Sequence, residues 1–172
     1  MKIAQVGETI LKTPAVAVSP ADLLTNELTQ FLLALKQTML DANGIGIAAP
    51  QVFDPRAIMI IASRPNARYP DAPHMEPLIL INPKVLASSE TQNKDWEGCL
   101  SVPGLRGKVK RFTWIEIEYL AENGDIEKRL FEGFLARIFQ HEYDHLIGKT
   151  WLDHIESADD VMANEVWQNK YA

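Results

Sequence analysis

Residues 140–146 constrain this chain more than any other segment, because they place two histidines one helical turn apart. They read Gln-His-Glu-Tyr-Asp-His-Leu, which contains the pattern His-Glu-x-x-His. At about 3.6 residues per turn, His141 and His145 lie on one face of a helix, so both imidazoles can reach a single metal ion. Glu142 is rotated by about 100° from His141 and can reach a water on that metal without being a ligand. The segment therefore predicts a metal-binding helix that carries its own proton acceptor.

The residues before this segment predict that the helix is buried. They are apolar at the spacing of an amphipathic helix, namely Phe134, Leu135, Ile138 and Phe139. Two histidines on a buried helix are costly to desolvate unless they have partners, and a metal ion provides one. We therefore favour metal binding over a surface helix with two incidental histidines, and we expect the helix to stop at Gly148.

A catalytic divalent site takes three protein ligands and leaves one position for water, so a third ligand is needed. Downstream of His145 the candidates are His154, Glu156 and Glu165. Upstream the candidate is Cys99, whose ordinary alternative is a small buried apolar residue. Spacing alone leaves this choice open.

Length and charge restrict the class of protein and its partners. A chain of 172 residues can bury a real core, and we expect one domain over residues 1–172. Its net charge of −6 provides no general attraction for DNA or an anionic membrane. No apolar run approaches the roughly 20 residues of a membrane span, and the first residues lack the pattern of a signal or transit peptide. The single cysteine excludes an intramolecular disulfide. Together these features predict a cytoplasmic protein.

The helical patterns predict one long helix near the N-terminus and a short one near the C-terminus. Ser19 is a plausible N-cap of the long helix, with Pro20 at its first position. The apolar stripe of that helix recurs every three or four residues, at Leu24, Leu28, Phe31, Leu32, Leu35 and Met39. Residues 157–160 are expected to cap the short helix, where their acidic side chains suit the helix dipole.

The remaining segments predict antiparallel strands, so the fold class is α+β. Turns are expected at residues 122–125 and at Pro103 and Gly104, and a Pro-rich surface loop at residues 64–77. The basic strip at residues 108–111 is interpreted as an exposed strand edge. The predicted strands are residues 57–61, 78–81, 84–87, 112–119 and 126–131.

Residues 44–51 read Gly-Ile-Gly-Ile-Ala-Ala-Pro-Gln and predict close approach to the main chain. The segment lacks the Lys-Ser/Thr ending of a phosphate loop, so nucleotide binding is not expected. Two glycines without side chains allow a ligand to lie against the backbone. Extended main chain there can accept a peptide as an added strand.

Three segments together resemble the sequence motifs of the peptide deformylase family. They are residues 44–51, residues 97–101 (Glu-Gly-Cys-Leu-Ser) and residues 140–146, in the order and spacing of that family. The resemblance implies antiparallel sheets wrapped around a central metal-binding helix. It also implies a divalent metal held by Cys99, His141 and His145, natively Fe²⁺, with Zn²⁺, Ni²⁺ or Co²⁺ as replacements.

The implied reaction removes the formyl group from the N-terminal formylmethionine of newly synthesised proteins and releases formate. Physically, metal-bound hydroxide would attack the formyl carbon, with Glu142 as general base and then general acid. By the resemblance, the Gln51 side-chain amide and the Leu100 backbone N–H stabilise the oxyanion. The expected substrate-binding residues are Ile45, Gly46, Gly98, Phe134 and Ile138.

Other expectations concern the surroundings of the site and its partners. Glu97 and Asp144 are expected beside the ligands. Asp144 either orients an imidazole, anchors the helix to a basic residue such as Arg111, or is a solvated carboxylate. The implied partners are N-formylmethionyl peptides and nascent chains. Transient ribosome contact is also implied, although the acidic segment after Leu152 is poorly suited to RNA.

Two alternative functions stay open at this point. One is a zinc endopeptidase that uses His154 or a downstream Glu as its third ligand. The other is a non-catalytic relative that binds peptides or metal, which the presence of Gln51, Cys99 and Glu142 argues against.

Overall fold

The structure is a computed structural model that describes residues 1–23, 25–65 and 72–171. Within these residues there are three α-helices: α1 (Asn26–Asp41), α2 (Gly133–Leu146) and α3 (Asn164–Tyr171). The strands of the described residues are β1 (Gly46–Ala48), β2 (Ile58–Ser63), β3 (Met75–Ser88), β4 (Gln92–Cys99), β5 (Val102–Phe112), β6 (Trp114–Leu120), β7 (Ile126–Glu132) and β8 (Val161–Ala163).

The described strands pair antiparallel in two sheets. The larger sheet has the order β1-β2-β3-β6-β7, and the smaller has the order β4-β5-β8. Helix α2 contacts strands of both sheets, including β1, β2 and β7 of the larger and β5 of the smaller. This arrangement confirms the predicted α+β fold, with antiparallel sheets around a central helix. None of the helices in the described residues is long and apolar enough to cross a lipid bilayer.

Strand β2 forms the centre of the core, because both faces of the larger sheet are covered there. All six of its residues are buried. Ile58 and Ile60 pack with α1, whereas Met59 and Ile61 pack with α2, as the alternation of side chains along a strand requires. The α1 residues buried in this core belong to the predicted stripe, Leu28, Leu32, Leu35 and Met39.

Helix α1 begins at Asn26, so the prediction that Ser19 caps it was wrong. The N-cap is Thr25, whose side chain accepts a hydrogen bond from a backbone N–H of the first turn at 3.2 Å. Ser19 Oγ instead donates to Asp22 Oδ2 at 2.7 Å, which closes a separate turn that also contains Pro20. Of the predicted stripe, Leu24 lies outside the described residues.

The two strands predicted on either side of Asn82 and Pro83 form one continuous strand, β3. Its pairing with β6 shifts register between Ile81 and Lys84, and Asn82 has a φ of +50°. The Asn82 side chain makes two hydrogen bonds to the main chain of Val18, at 2.8 and 2.9 Å. A bulge therefore bends the strand where a break was expected.

Two further boundaries differ from the predictions. Pro103 and Gly104 lie within β5, and the chain reverses instead at residues 100–101. Gly104 has a φ of +76°, a left-handed conformation that glycine adopts easily, and this conformation occurs within the strand rather than in a turn. The predicted loop at residues 64–77 is shorter, because β3 begins at Met75, and its residues 66–71 lie outside the described part.

The C-terminal segment contains more elements than predicted. Ser157 caps a single 3-10 turn over Ala158–Asp160 rather than a helix. Strand β8 follows, and α3 begins only at Asn164. A strand of three residues is too short to give an alternating pattern, so it left no signal in the sequence.

Candidate metal centre

Three candidate ligands converge between the two sheets. Helix α2 provides His141 and His145, one turn apart, and the end of β4 provides Cys99. Cys99 Sγ lies 3.3 Å from His145 Nε2, and the donor atoms of the three residues all lie within 4.8 Å of one another. One thiolate and two imidazoles at this spacing fit a divalent transition metal and leave a position for water.

The other candidate third ligands lie elsewhere. His154 Nε2 lies 2.9 Å from Asp144 Oδ2. Glu156 pairs at the surface with Lys94 and Lys110, at 2.9 and 2.7 Å. Glu165 is exposed on α3. Of the ligands that spacing left open, only Cys99 is brought to the two histidines in the described residues.

A buried carboxylate orients the first histidine. Glu97, on β4, is 4% exposed, and its Oε2 accepts a hydrogen bond from His141 Nδ1–H at 2.8 Å. This bond leaves His141 Nε2 as the ring nitrogen available to a metal. Burial on its own would raise the pKa of Glu97, but the charge of Arg111 and the hydrogen bond from His141 hold that pKa far below its ordinary value. Glu97 is therefore ionised at neutral pH, and its charge lies next to the ring of His141.

Two arginines neutralise this carboxylate. Arg111 donates to both oxygens of Glu97, at 2.9 and 3.0 Å, and Arg137 donates to Glu97 Oε1 at 2.8 Å. Arg111 also donates to Asp144 Oδ2 at 2.7 Å, as the hypothesis of a helix anchor required. Arg111 is 4% exposed, so reading residues 108–111 as an exposed strand edge was wrong at this position. The burial of Arg111 could not be predicted from the residues around it, because its partners Glu97 and Asp144 are 14 and 33 residues away in the sequence.

The second histidine is held as a neutral imidazole. Burial lowers the pKa of His145 well below its ordinary value, and the neighbouring His141 lowers it further. A neutral imidazole is the form that binds a metal. The local environment therefore suits ligation.

Gln51 is fixed beside the thiol by a 3-10 turn over Ala49–Val52. Its Oε1 accepts from the Ala48 N–H at 2.8 Å, and its Nε2 donates to Ser101 Oγ at 3.1 Å. The same Nε2 lies 3.6 Å from Cys99 Sγ. An amide N–H donor is thus held at the edge of the ligand cluster, and Leu100 follows Cys99 in the adjoining turn.

Glu142 is a buried carboxylate with an unsatisfied oxygen. It is 4% exposed, and its Oε2 has no hydrogen-bond partner among the described residues. Burial raises the pKa of Glu142 to about 7. A group with such a pKa can both accept and release a proton near neutral pH.

Gly46 makes room for this carboxylate. A Cβ added at Gly46 would lie 2.7 Å from both Cγ and Cδ of Glu142. At Gly46 a side chain of the chain itself therefore makes a close approach, and the approach of a ligand to this main chain stays a prediction.

We expect Gly46→Ala to lower kcat by about 10²-fold or more, because an error of about 1 Å in the position of a reacting group is costly. The metal content should not change, since no ligand is touched. Steady-state kinetics, metal analysis and a thermal melt of the variant measure these three properties. An active enzyme with wild-type kcat would show that Glu142 does not need its present position.

The converging residues border one cleft of about 310 Å³. The predicted substrate-binding residues all line it: Ile45, Gly46, Gly98, Phe134 and Ile138. Gln51, Cys99, Leu100, His141 and Glu142 line it as well. Several lining residues were not predicted, among them Arg106 and Asn164, because nothing local in the sequence connects them to the motifs.

Two histidines of α2 and a cysteine of β4 converge beside a buried glutamate, an arrangement typical of a metal-dependent hydrolase. The family model for polypeptide deformylase matches residues 1–161. The chain belongs to the polypeptide deformylase family, and it is an enzyme of that family.

Relatives agree with this assignment. Peptide deformylase 2 of Nostoc sp. is 44% identical over 169 residues, which cover 98% of this chain and 93% of the relative. Peptide deformylase 2 of Shewanella oneidensis is 46% identical over 166 residues, covering 96% and 90%.

Solved structures agree as well. The Met-Ala-Ser-bound class I type b peptide deformylase from Acinetobacter baumannii is 46% identical, with a TM-score of 0.87 over 89% of this chain and 96% of that one. The Synechococcus elongatus peptide deformylase in complex with actinonin is 36% identical, with a TM-score of 0.80 over 98% of this chain and 84% of that one.

Proposed function

We propose that this enzyme hydrolyses the N-formyl group of formylmethionyl peptides and nascent chains and releases formate. The observation that carries the proposal is the convergence of Cys99, His141 and His145 beside Glu142, whose Oε2 has no hydrogen-bond partner among the described residues. We further propose that residues 1–172 form a single catalytic domain.

Cys99, His141 and His145 would hold the metal, for which we propose Fe²⁺, with Zn²⁺, Ni²⁺ or Co²⁺ as functional replacements. When bound, a divalent metal lowers the pKa of a water and polarises a carbonyl oxygen. A thiolate places more negative charge on the ion than a third imidazole does. That ligand set suits iron, nickel, cobalt and zinc better than calcium or magnesium.

Glu142 Oε2 carries the proton in this proposal. The carboxylate takes a proton from the attacking water, and a pKa raised to about 7 by burial lets it keep that proton. It then delivers the proton to the nitrogen of the departing amine. Gly46 supports this role, because a side chain there would displace the carboxylate.

Two N–H donors would stabilise the negative charge that develops on the formyl oxygen. We assign this role to Gln51 Nε2 and the Leu100 backbone N–H. The hydrogen bonds from Ala48 and to Ser101 fix the Gln51 amide before the substrate arrives. One such preorganised donor typically contributes about 3 kcal/mol to transition-state binding.

The substrate would lie along the cleft with its methionine side chain against the apolar surface of Ile45, Phe134 and Ile138. The main chain of Ile45, Gly46 and Gly98 would pair with the peptide as an added strand. The Acinetobacter baumannii relative was solved with Met-Ala-Ser, a peptide that begins with methionine. Since nascent chains are the proposed substrates, we place the enzyme in the cytoplasm, in transient contact with the ribosome.

Release of formate from N-formyl-Met-Ala-Ser by metal-loaded enzyme tests the proposal. We expect one formate and one free Met-Ala-Ser for each peptide consumed, measured by a coupled formate assay and mass spectrometry. Cleavage of an internal peptide bond, or no formate from anaerobic iron-loaded enzyme, would overturn the proposal.

The proposed metal gives an expectation about oxygen. Because Fe²⁺ and its cysteine ligand are both oxidisable, we expect iron-loaded enzyme purified in air to lose most of its activity. Enzyme reloaded with Ni²⁺ or Co²⁺ should keep its activity in air. Equal activity of aerobic and anaerobic iron preparations of matched metal content would contradict the assignment of iron.

A further inference from the structure

The C-terminal segment 161–171 lies behind one wall of the cleft. Strand β8 pairs with Leu105–Gly107 of β5, and Met162 lies directly opposite Arg106. Helix α3 then packs on β5, with Trp167 buried. Most of this segment lies beyond residues 1–161, where the family model ends its match.

The same segment also holds the Arg106 side chain. The Arg106 guanidinium carbon lies 3.7 Å from the centroid of the Trp167 ring, a cation–π contact. Arg106 Nε donates to Asn164 Oδ1 at 2.9 Å. Asn164 and Trp167 are one turn apart on α3, so a single helix face fixes the guanidinium from two directions. We define Arg106, Asn164 and Trp167 as the arginine clamp.

The clamp lies against the strand that delivers the cysteine ligand. Arg106 is paired with Gly98 of β4, and directly opposed residues place their side chains on the same face of a sheet. The guanidinium carbon lies 3.9 Å from the position that a Cβ at Gly98 would occupy, which is van der Waals contact distance. The register of β4 and β5 shifts between Gly98 and Cys99, so regular pairing ends at Gly98. The clamp therefore supports the last regularly paired residue before Cys99.

The Arg106 residue borders the cleft, but only 1% of it is exposed. We therefore expect a peptide in the cleft to contact mainly the main chain beside the guanidinium. That main chain belongs to Gly98, which borders the cleft together with Leu105 and Asn164. The methionine surface is elsewhere in the cleft, on α2 at Phe134 and Ile138.

We propose that Asn164 and Trp167 are positioning residues that act through Arg106 on Gly98 and so set how the peptide beyond the methionine is bound. The inference rests on the proposed function, because it takes Gly98 as a main-chain partner of the substrate. It gives α3 a role in substrate length preference, in addition to its packing on β5.

Binding of the product tripeptide Met-Ala-Ser to nickel-loaded enzyme tests the clamp without turnover, with methionine amide as the short comparison ligand. In Trp167→Ala we expect the Kd of Met-Ala-Ser to rise about tenfold, which corresponds to about 1.4 kcal/mol. Asn164→Ala removes the hydrogen bond from Arg106 Nε but keeps the Trp167 contact, so a smaller rise of about threefold to fivefold is expected. The Kd of methionine amide should stay within about twofold, and Trp167→Phe should restore tripeptide binding because it keeps an aromatic face.

Trp114→Ala is the matched control, because Trp114 lies on β6 of the other sheet and outside the cleft lining. Its tripeptide binding should equal that of the wild type. The proposal would be overturned if the Kd of Met-Ala-Ser stayed unchanged in Asn164→Ala and Trp167→Ala. It would also be overturned if the Kd of Met-Ala-Ser and the Kd of methionine amide rose by the same factor. If Trp167→Ala does not fold, as judged by circular dichroism, Asn164→Ala alone decides. Formate release by the wild type is measured separately, so a failure of the proposed function is distinguished from a failure of the clamp.

Discussion

Replacing Glu142 with alanine is expected to lower kcat for formate release by about 10²–10⁴-fold, the usual cost of losing a general acid–base catalyst. The metal should remain bound, because Glu142 is outside the Cys99, His141 and His145 group. The physical reason is that Glu142 Oε2 is buried and without a hydrogen-bond partner in the described structure, so it is available for a proton. Formate assays and metal analysis of the same preparations measure both quantities.

Two variants make this expectation specific to the carboxylate. Glu142→Gln keeps the shape of the side chain but cannot accept the proton, so it should lose as much activity as the alanine variant. Glu116→Ala removes an exposed glutamate on β6 and should behave as wild type. Activity in Glu142→Gln within tenfold of the wild type would exclude Glu142 as the proton carrier.

Replacing Cys99 with alanine should reduce metal affinity by at least about 10²-fold, because losing even an outer partner of a ligand costs about 10–100-fold. The thiol is one of three donor atoms that converge within 4.8 Å, and two imidazoles alone leave the ion mostly to water. A competition titration with a chromophoric chelator measures the affinity. Dialysis followed by metal analysis gives the retained stoichiometry.

His154→Ala provides the contrast, because His154 is the histidine that a zinc endopeptidase of this pattern would use. Its Nε2 is 2.9 Å from Asp144 Oδ2, so the variant should keep its metal. Full metal retention in Cys99→Ala combined with loss in His154→Ala would reverse the assignment and favour the endopeptidase.

The periodicity of the sequence correctly predicted features that depend on the geometry of one helix alone. The spacing of His141 and His145 depends only on helix geometry, and the α1 stripe from Leu28 to Met39 depends on one buried face. Periodicity could not predict the first residue of α1, because Ser19 and Thr25 are both suitable N-cap residues. In the structure Ser19 donates a hydrogen bond to Asp22 within a separate turn, and Thr25 caps α1.

The candidate site could be predicted from local sequence only in part, because its contacts are long-range. Cys99 and His145 are 46 residues apart, and Arg106 and Asn164 are 58 apart. No helical or strand period extends over such distances, so the family resemblance, rather than spacing, pointed to Cys99. None of the three residues of the arginine clamp lies in the three motifs, so neither spacing nor the family resemblance pointed to it.

The separation of the ligands along the chain also determines when the enzyme can become active during its own folding. Cys99 is 48 residues from Gln51 and 46 from His145, so the centre forms only through contacts of high sequence separation. Such contacts close late and make folding slow compared with local helix formation. A partly synthesised or partly folded chain that lacks either the end of β4 or helix α2 has no complete ligand set. The chain can therefore become active only when its tertiary structure is complete. If the sheets assemble slowly, we expect activity to appear after a delay, although helix formation is not delayed.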